Sequence, residues 1–135
     1  MNITTFIKLY LIAVPIFVII DLVWLGVIAK GIYKKYIGHL MLPTPNWPVA
    51  VMFYLIFIVG LVIYAINPAI KESSWLVALG YGAMFVFFTY MTFDLTNSAI
   101  LKDWPWRIVV IDIIWGMVLS GSVSVIAYFI GRNFV

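Results

Sequence analysis

The sequence contains no cysteine and a single histidine, His39. The missing cysteine excludes a disulfide framework, thiol redox chemistry, Cys-ligated zinc and a thiolate nucleophile. One histidine excludes a multi-histidine iron or zinc centre, and a bis-histidine haem would need two chains. Charge is scarce too: 10% of the 135 residues are charged, against about 25% in a soluble domain. That is too little to cover a water-facing surface. The eight Lys and Arg residues lie mainly in short connecting segments, so the net charge of +3 fits a membrane surface and offers no nucleic-acid patch.

What the chain does have is apolar length: 66% of its residues are hydrophobic and 18% aromatic. Four apolar runs predict an all-α polytopic membrane protein, a four-transmembrane-helix bundle forming one domain over residues 1–135, with spans at about 6–29, 49–66, 75–98 and 106–130. The first run is longer than the ~7–15-residue core of a signal peptide. It is followed by Lys30, Lys34 and Lys35 rather than a small-residue cleavage site, so a retained span is expected. Pro15 predicts a kink in it.

The first loop divides in two. KGIYKKYIGHLM reads as a short amphipathic helix along the headgroups. The segment after it, with Pro43, Pro45 and Pro48, cannot be regular helix. Span two carries no charge, reads as a packing or lipid-facing helix, and is expected to end at Asn67-Pro68. The short loop after it makes spans two and three antiparallel neighbours, with Ser74 as the helix cap. Gly80, Gly82 and Ala83 in span three, and Gly116, Ser120 and Ser124 in span four, predict close helix approach. Pro105 suits the first position of span four. Tyr33, Tyr36, Trp47, Trp75, Trp104 and Trp106 read as interface aromatics, and His39 as an interfacial loop residue rather than a ligand.

Within this apolar chain three aspartates fall inside spans: Asp21 in IIDLVWLG, Asp94 in FDLTNS and Asp112 in VIDIIWG. Intramembrane carboxyls are costly and mark functional-site candidates. Asp21 and Asp112 each have a tryptophan three residues on, Trp24 and Trp115, a short internal similarity between spans that cross in opposite directions. In span three, Tyr90, Asp94, Asn97 and Ser98 follow helical spacing and share one face. At ~1.5 Å per residue all three aspartates lie roughly 6–12 Å beneath the surface bearing the first and third loops. Lys102 and Arg107 belong to that side and could snorkel toward the carboxyls, or simply mark the cytoplasmic face. Five basic residues flank that surface (Lys30, Lys34, Lys35, Lys102, Arg107) and three the other (Lys8, Lys71, Arg132). The excess predicts a cytoplasmic carboxyl side and external termini.

Three chemical readings fit this convergence. The first is a pocket that binds, and by extension modifies, a small lipid-soluble or amphipathic molecule. Asp21, Asp94 and Asp112 would act as acid and base, and Trp24, Tyr90, Asn97, Trp115, Lys102 and Arg107 would bind the ligand. The second is a proton-coupled small-molecule transporter acting as a homodimer. The third is structural, with each aspartate joining helices. Any cofactor stays unknown at this point; the aspartates and Asn97 offer the oxygen ligands a hard divalent cation takes, but no metal-ligand spacing supports such a site. Membrane lipids are the expected surroundings.

At the Asp21–Trp24–Gly26 pattern, the Asp94–Thr96–Asn97 stretch, Lys102, Trp104-Pro105 and Asp112–Trp115–Gly116, the chain resembles a bacterial family of small four-span membrane proteins, domain of unknown function 2177. The likeness runs over nearly the whole chain. It implies a four-span architecture in the bacterial inner membrane and a set of shared positions, and no reaction. Small multidrug resistance transporters are similar in length but carry their acid in span one alone. Four-span disulfide-forming oxidoreductases are excluded by the missing cysteines.

Overall fold

The computed structural model describes residues 1–135 and contains four helices long and apolar enough to cross a membrane: Ile3–Ile28, Trp47–Lys71, Trp75–Ile100 and Trp106–Gly131. No strand is present. Only 28 of the 135 residues are buried, so most large apolar side chains face outward, where a hydrocarbon solvent would meet them.

Span one begins at the Asn2 cap, whose side chain accepts the Thr5 N–H at 2.8 Å. It runs through Pro15 as continuous helix. Its last turn widens into a π-turn over Trp24–Ile28, where the Ala29 N–H donates to the Trp24 carbonyl at 2.7 Å. The expected interfacial helix follows at Lys30–Ile37 and ends in one tight turn, Gly38–Leu40. The Pro-rich segment then carries the chain to span two without regular structure.

Span two does not end at Asn67-Pro68, as the sequence suggested; it continues to Lys71. A second π-turn, Val62–Ile66, precedes the proline, and the Asn67 N–H donates to the Val62 carbonyl. Pro68 therefore enters as a first-turn residue of a fresh helical register. There its missing N–H and fixed φ do no harm. The turn to span three passes through Ser73 at φ 50°, and Ser74 caps the Val77 N–H at 3.4 Å. Pro105 sits one residue before span four, and its carbonyl accepts from Ile108 at 3.0 Å.

Span four packs against spans three and one, and span one against span two. Spans three and four are the tightest pair. A Cβ placed on Gly82 would lie 2.6 Å from Ser124 Oγ and 2.7 Å from the Ser120 carbonyl, and one on Gly116 would lie 2.6 Å from the Tyr90 ring. Gly80 contributes nothing to this seam, since no atom lies within 4 Å of its Cβ position. The buried core gathers in the half of the bundle near the termini: Leu9, Ala13 and Phe17; Ile58, Leu61, Val62, Ala65 and Ile66; Val86; Leu119, Val123 and Ala127.

The other half is looser. Spans two and three meet near their connecting turn, through Val62–Ile66, and separate toward the opposite end. Gly60 marks the narrow end of the gap, with the Phe85 ring 2.6 Å from its Cβ position. Phe57 bridges to Phe85 and Tyr90 at ring separations of 5.3 and 6.1 Å. Beyond Phe57 the two spans leave a wedge.

Candidate functional site: an acidic and aromatic cavity

The wedge opens into a cavity of about 500 Å³ to which every helix contributes. Span one supplies Asp21, Trp24 and Leu25; the interfacial helix supplies Tyr33. Span two supplies Ala50, Phe53, Tyr54 and Phe57; span three supplies Thr89, Tyr90 and Phe93; span four supplies Asp112 and Trp115. By residue count from the helix ends, Asp21, Tyr54 and Asp112 all lie ~9–10 Å inside the bundle.

Asp21 stands on the last regular turn of span one and is buried. Tyr54 donates its hydroxyl to Asp21 Oδ2 at 2.5 Å, and Trp115 Nε1 donates to Oδ1 at 3.3 Å. Asp112, on the second turn of span four, accepts the Tyr33 hydroxyl. The Tyr33 oxygen in turn accepts from Trp24 Nε1 at 3.4 Å. The two indoles stack between the acids, with centroids 4.3 Å apart and planes 8° from parallel. The arrangement is reciprocal. The tryptophan that follows Asp112 serves Asp21, and the tryptophan that follows Asp21 serves Asp112 through Tyr33. Burial, and then the Asp112 carboxyl that accepts its hydrogen, push the Tyr33 phenol well above its ordinary range, so it stays a donor.

Asp94 is fully buried and is not part of the lining. Trp104 Nε1 donates to its Oδ1 at 3.3 Å, while Oδ2 finds no donor in the protein's ordinary hydrogen bonds. Tyr90 lines the cavity along with Asp21 and Asp112, and its hydroxyl makes no hydrogen bond.

The structure thus brings Asp21, Trp24, Tyr90, Asp112 and Trp115 onto the lining of one cavity, and leaves Asp94, one helical turn past Tyr90, outside that lining. Three other residues expected in the site lie elsewhere. Asn97 is half-buried and makes no side-chain bond; at three residues past Asp94 it is ~4.5 Å nearer the bundle end and beyond the cavity. Lys102 lies in a surface depression with His39, Asp103 and Trp104. Arg107, on the first turn of span four, donates to the Tyr36 hydroxyl at 2.9 Å and holds that phenol below its ordinary range. Neither cation snorkels to a carboxyl, and on the exposed surface His39 Nε2 lies 3.3 Å from Asp103 Oδ2.

Three residues were missed. Tyr33 and Trp104, read as interface aromatics, hydrogen-bond Asp112 and Asp94. Tyr54, in the span read as featureless, hydrogen-bonds Asp21. No local signal separates a belt tyrosine from one that turns inward. The inward turn depends on partners 33 and 79 residues away in the chain.

The chain belongs to the family described as predicted membrane protein (DUF2177), whose profile matches residues 6–129. No curated protein and no solved structure matches it.

Proposed function

We propose that this member of the DUF2177 family binds a small amphipathic molecule that enters from the lipid phase between spans two and three. Its polar end would meet Asp21, Asp112 and Tyr90, and its apolar body would lie in the wedge. The observation that carries this reading is the cavity itself. The hydrogen bonds from Asp21, Asp94 and Asp112 join helices, and a purely structural role would account for them. Such a role has no use for about 500 Å³ of open space beside the acids, since packed interiors leave few voids larger than a water molecule.

The lining suits an amphipathic occupant, with two carboxyls and three tyrosines set among otherwise mostly apolar side chains. Chemical modification of the occupant extends the same reading, because neighbouring carboxyls can divide the roles of proton donor and acceptor. Transport would ask more of the molecule. Phe17, Val86 and Leu119 are fully buried in the terminal half of the bundle, so one chain offers no second exit and a second copy would be needed. In this reading the protein lies in a bacterial inner membrane with the cavity end toward the cytoplasm. The motive is the five basic residues at that end against three at the other.

The test is mass spectrometry of small molecules that accompany the protein when it is purified in mild detergent. Wild type should carry a discrete bound species. Thr89→Trp, which fills the exposed mouth of the wedge, should lose it while keeping its helical circular dichroism. Identical bound species in both proteins, or none in wild type after reconstitution with a total lipid extract, would defeat the proposal.

A further inference from the structure

The five acidic residues of the chain are unevenly placed: Asp21 and Asp112 line the cavity, Asp94 is buried one helical turn beyond the lining residue Tyr90, and Glu72 and Asp103 lie elsewhere. All eight Lys and Arg residues are elsewhere, and none lines the cavity. The hydrogen-bond donors that reach the lining acids are neutral: the hydroxyls of Tyr33 and Tyr54 and the indole N–H of Trp115. The cavity is therefore furnished with acceptors and lacks a positive charge. Beside the acids stands the Trp24–Trp115 stack, whose indoles attract cations at their faces. Tyr90 adds a hydroxyl with no partner of its own.

From this we infer the class of occupant: an amphiphile whose head is a protonated amine and whose single apolar tail leaves sideways through the wedge. The inference rests on the binding role proposed above and narrows it. An ammonium group carries three donors and no acceptor. Inside the cavity it can donate to a lining carboxyl or to the Tyr90 oxygen, while its charge answers that of the acids. A hydroxyl head offers one donor and no charge. A carboxylate or phosphate head meets like charge. For the tail, Phe53 and Phe93 flank the mouth from opposite sides and are 44% and 56% exposed, so the apolar wall runs unbroken from the acids to the lipid.

Three single-tailed probes of matched length test this: 11-bromoundecylamine, 11-bromoundecanol and 11-bromoundecanoate, added to the protein in lipid nanodiscs. Bromine quenches tryptophan fluorescence. The saturable part of the quenching, displaced by unbrominated undecylamine, reports cavity binding apart from partition into lipid. The amine should bind about tenfold more tightly than the alcohol or better, the factor separating a charge-assisted hydrogen bond from a neutral one. The carboxylate should show no saturable part. In Asp21→Asn with Asp112→Asn, the amine's advantage over the alcohol should vanish. Wild type alone decides the matter should that variant fail to fold. Alcohol or carboxylate binding as tight as the amine overturns the cationic preference and leaves the cavity's binding role standing. No saturable quenching by any of the three overturns both.

Discussion

The two halves of the bundle solve opposite problems. Near the termini the helices close on one another. Gly82 lies against the Ser120 backbone, and Phe17, Ile58, Leu61, Val86 and Leu119 fill the space between spans. Near the first and third loops the same helices stand apart around Asp21, Asp112 and Tyr90. Shape complementarity holds the first half, and hydrogen bonds between donor and acceptor side chains hold the second. In hydrocarbon, where burying apolar surface gains nothing between helices, these are the forces available. The closed half lets the open half exist, because a bundle splayed along its whole length would have neither.

The sharpest way to break this contrast is Gly82→Leu. The new side chain would start 2.7 Å from a backbone carbonyl that cannot rotate away. We expect a loss of about 3 kcal/mol, at the upper end of overpacking costs, read as a lower unfolding midpoint in denaturing detergent and poor recovery of folded protein. Asp21→Leu attacks the open half. It strands the Tyr54 hydroxyl and the Trp115 N–H without an acceptor, a cost of about 2 kcal/mol by the same measurement. Asp21→Asn, which keeps one acceptor oxygen, should lose less. An Asp21→Leu protein as stable as wild type would mean that the hydrogen bonds do not hold that half. Gly80→Ala should sharpen the contrast by doing little. Its Cβ meets nothing within 4 Å, so a change beyond about 0.5 kcal/mol would show that span three meets a partner on its outer face.

Much of this was legible in the sequence, and the parts that were not share a cause. Spans, the Ser74 cap and the interfacial helix follow from local pattern: apolar length, a serine before an apolar run, Lys and Tyr alternating with aliphatics. Asp21 and Asp112 announce themselves because a carboxyl in an apolar run has few reasons to be there. Their repeated tryptophans point to two residues that line the cavity and say nothing of the arrangement. That Trp115 would serve Asp21, 94 residues away, is a fact of packing that no local spacing records. Tyr54, like Tyr64 a polar handle of span two, was given no site role because a phenol costs little in a span and so raises no alarm. Lys102 and Arg107 were assigned by proximity in depth, whereas the direction of a long side chain is settled by its nearest acceptor. For Arg107 that acceptor is the Tyr36 hydroxyl, outside the cavity. The end of span two was misjudged because a proline stops an α-helix only if the register into it is unbroken, and a π-turn breaks it.

The other π-turn, Trp24–Ile28, holds one residue more than an ordinary turn needs. Excising Gly26, whose Cβ position is open, would restore regular winding and swing everything downstream by ~100° about the axis. Tyr33 would then leave Asp112 with no other residue altered. A single surplus amino acid thus acts as a phase setting, fixing the angle at which the headgroup helix presents its phenol to the acid below.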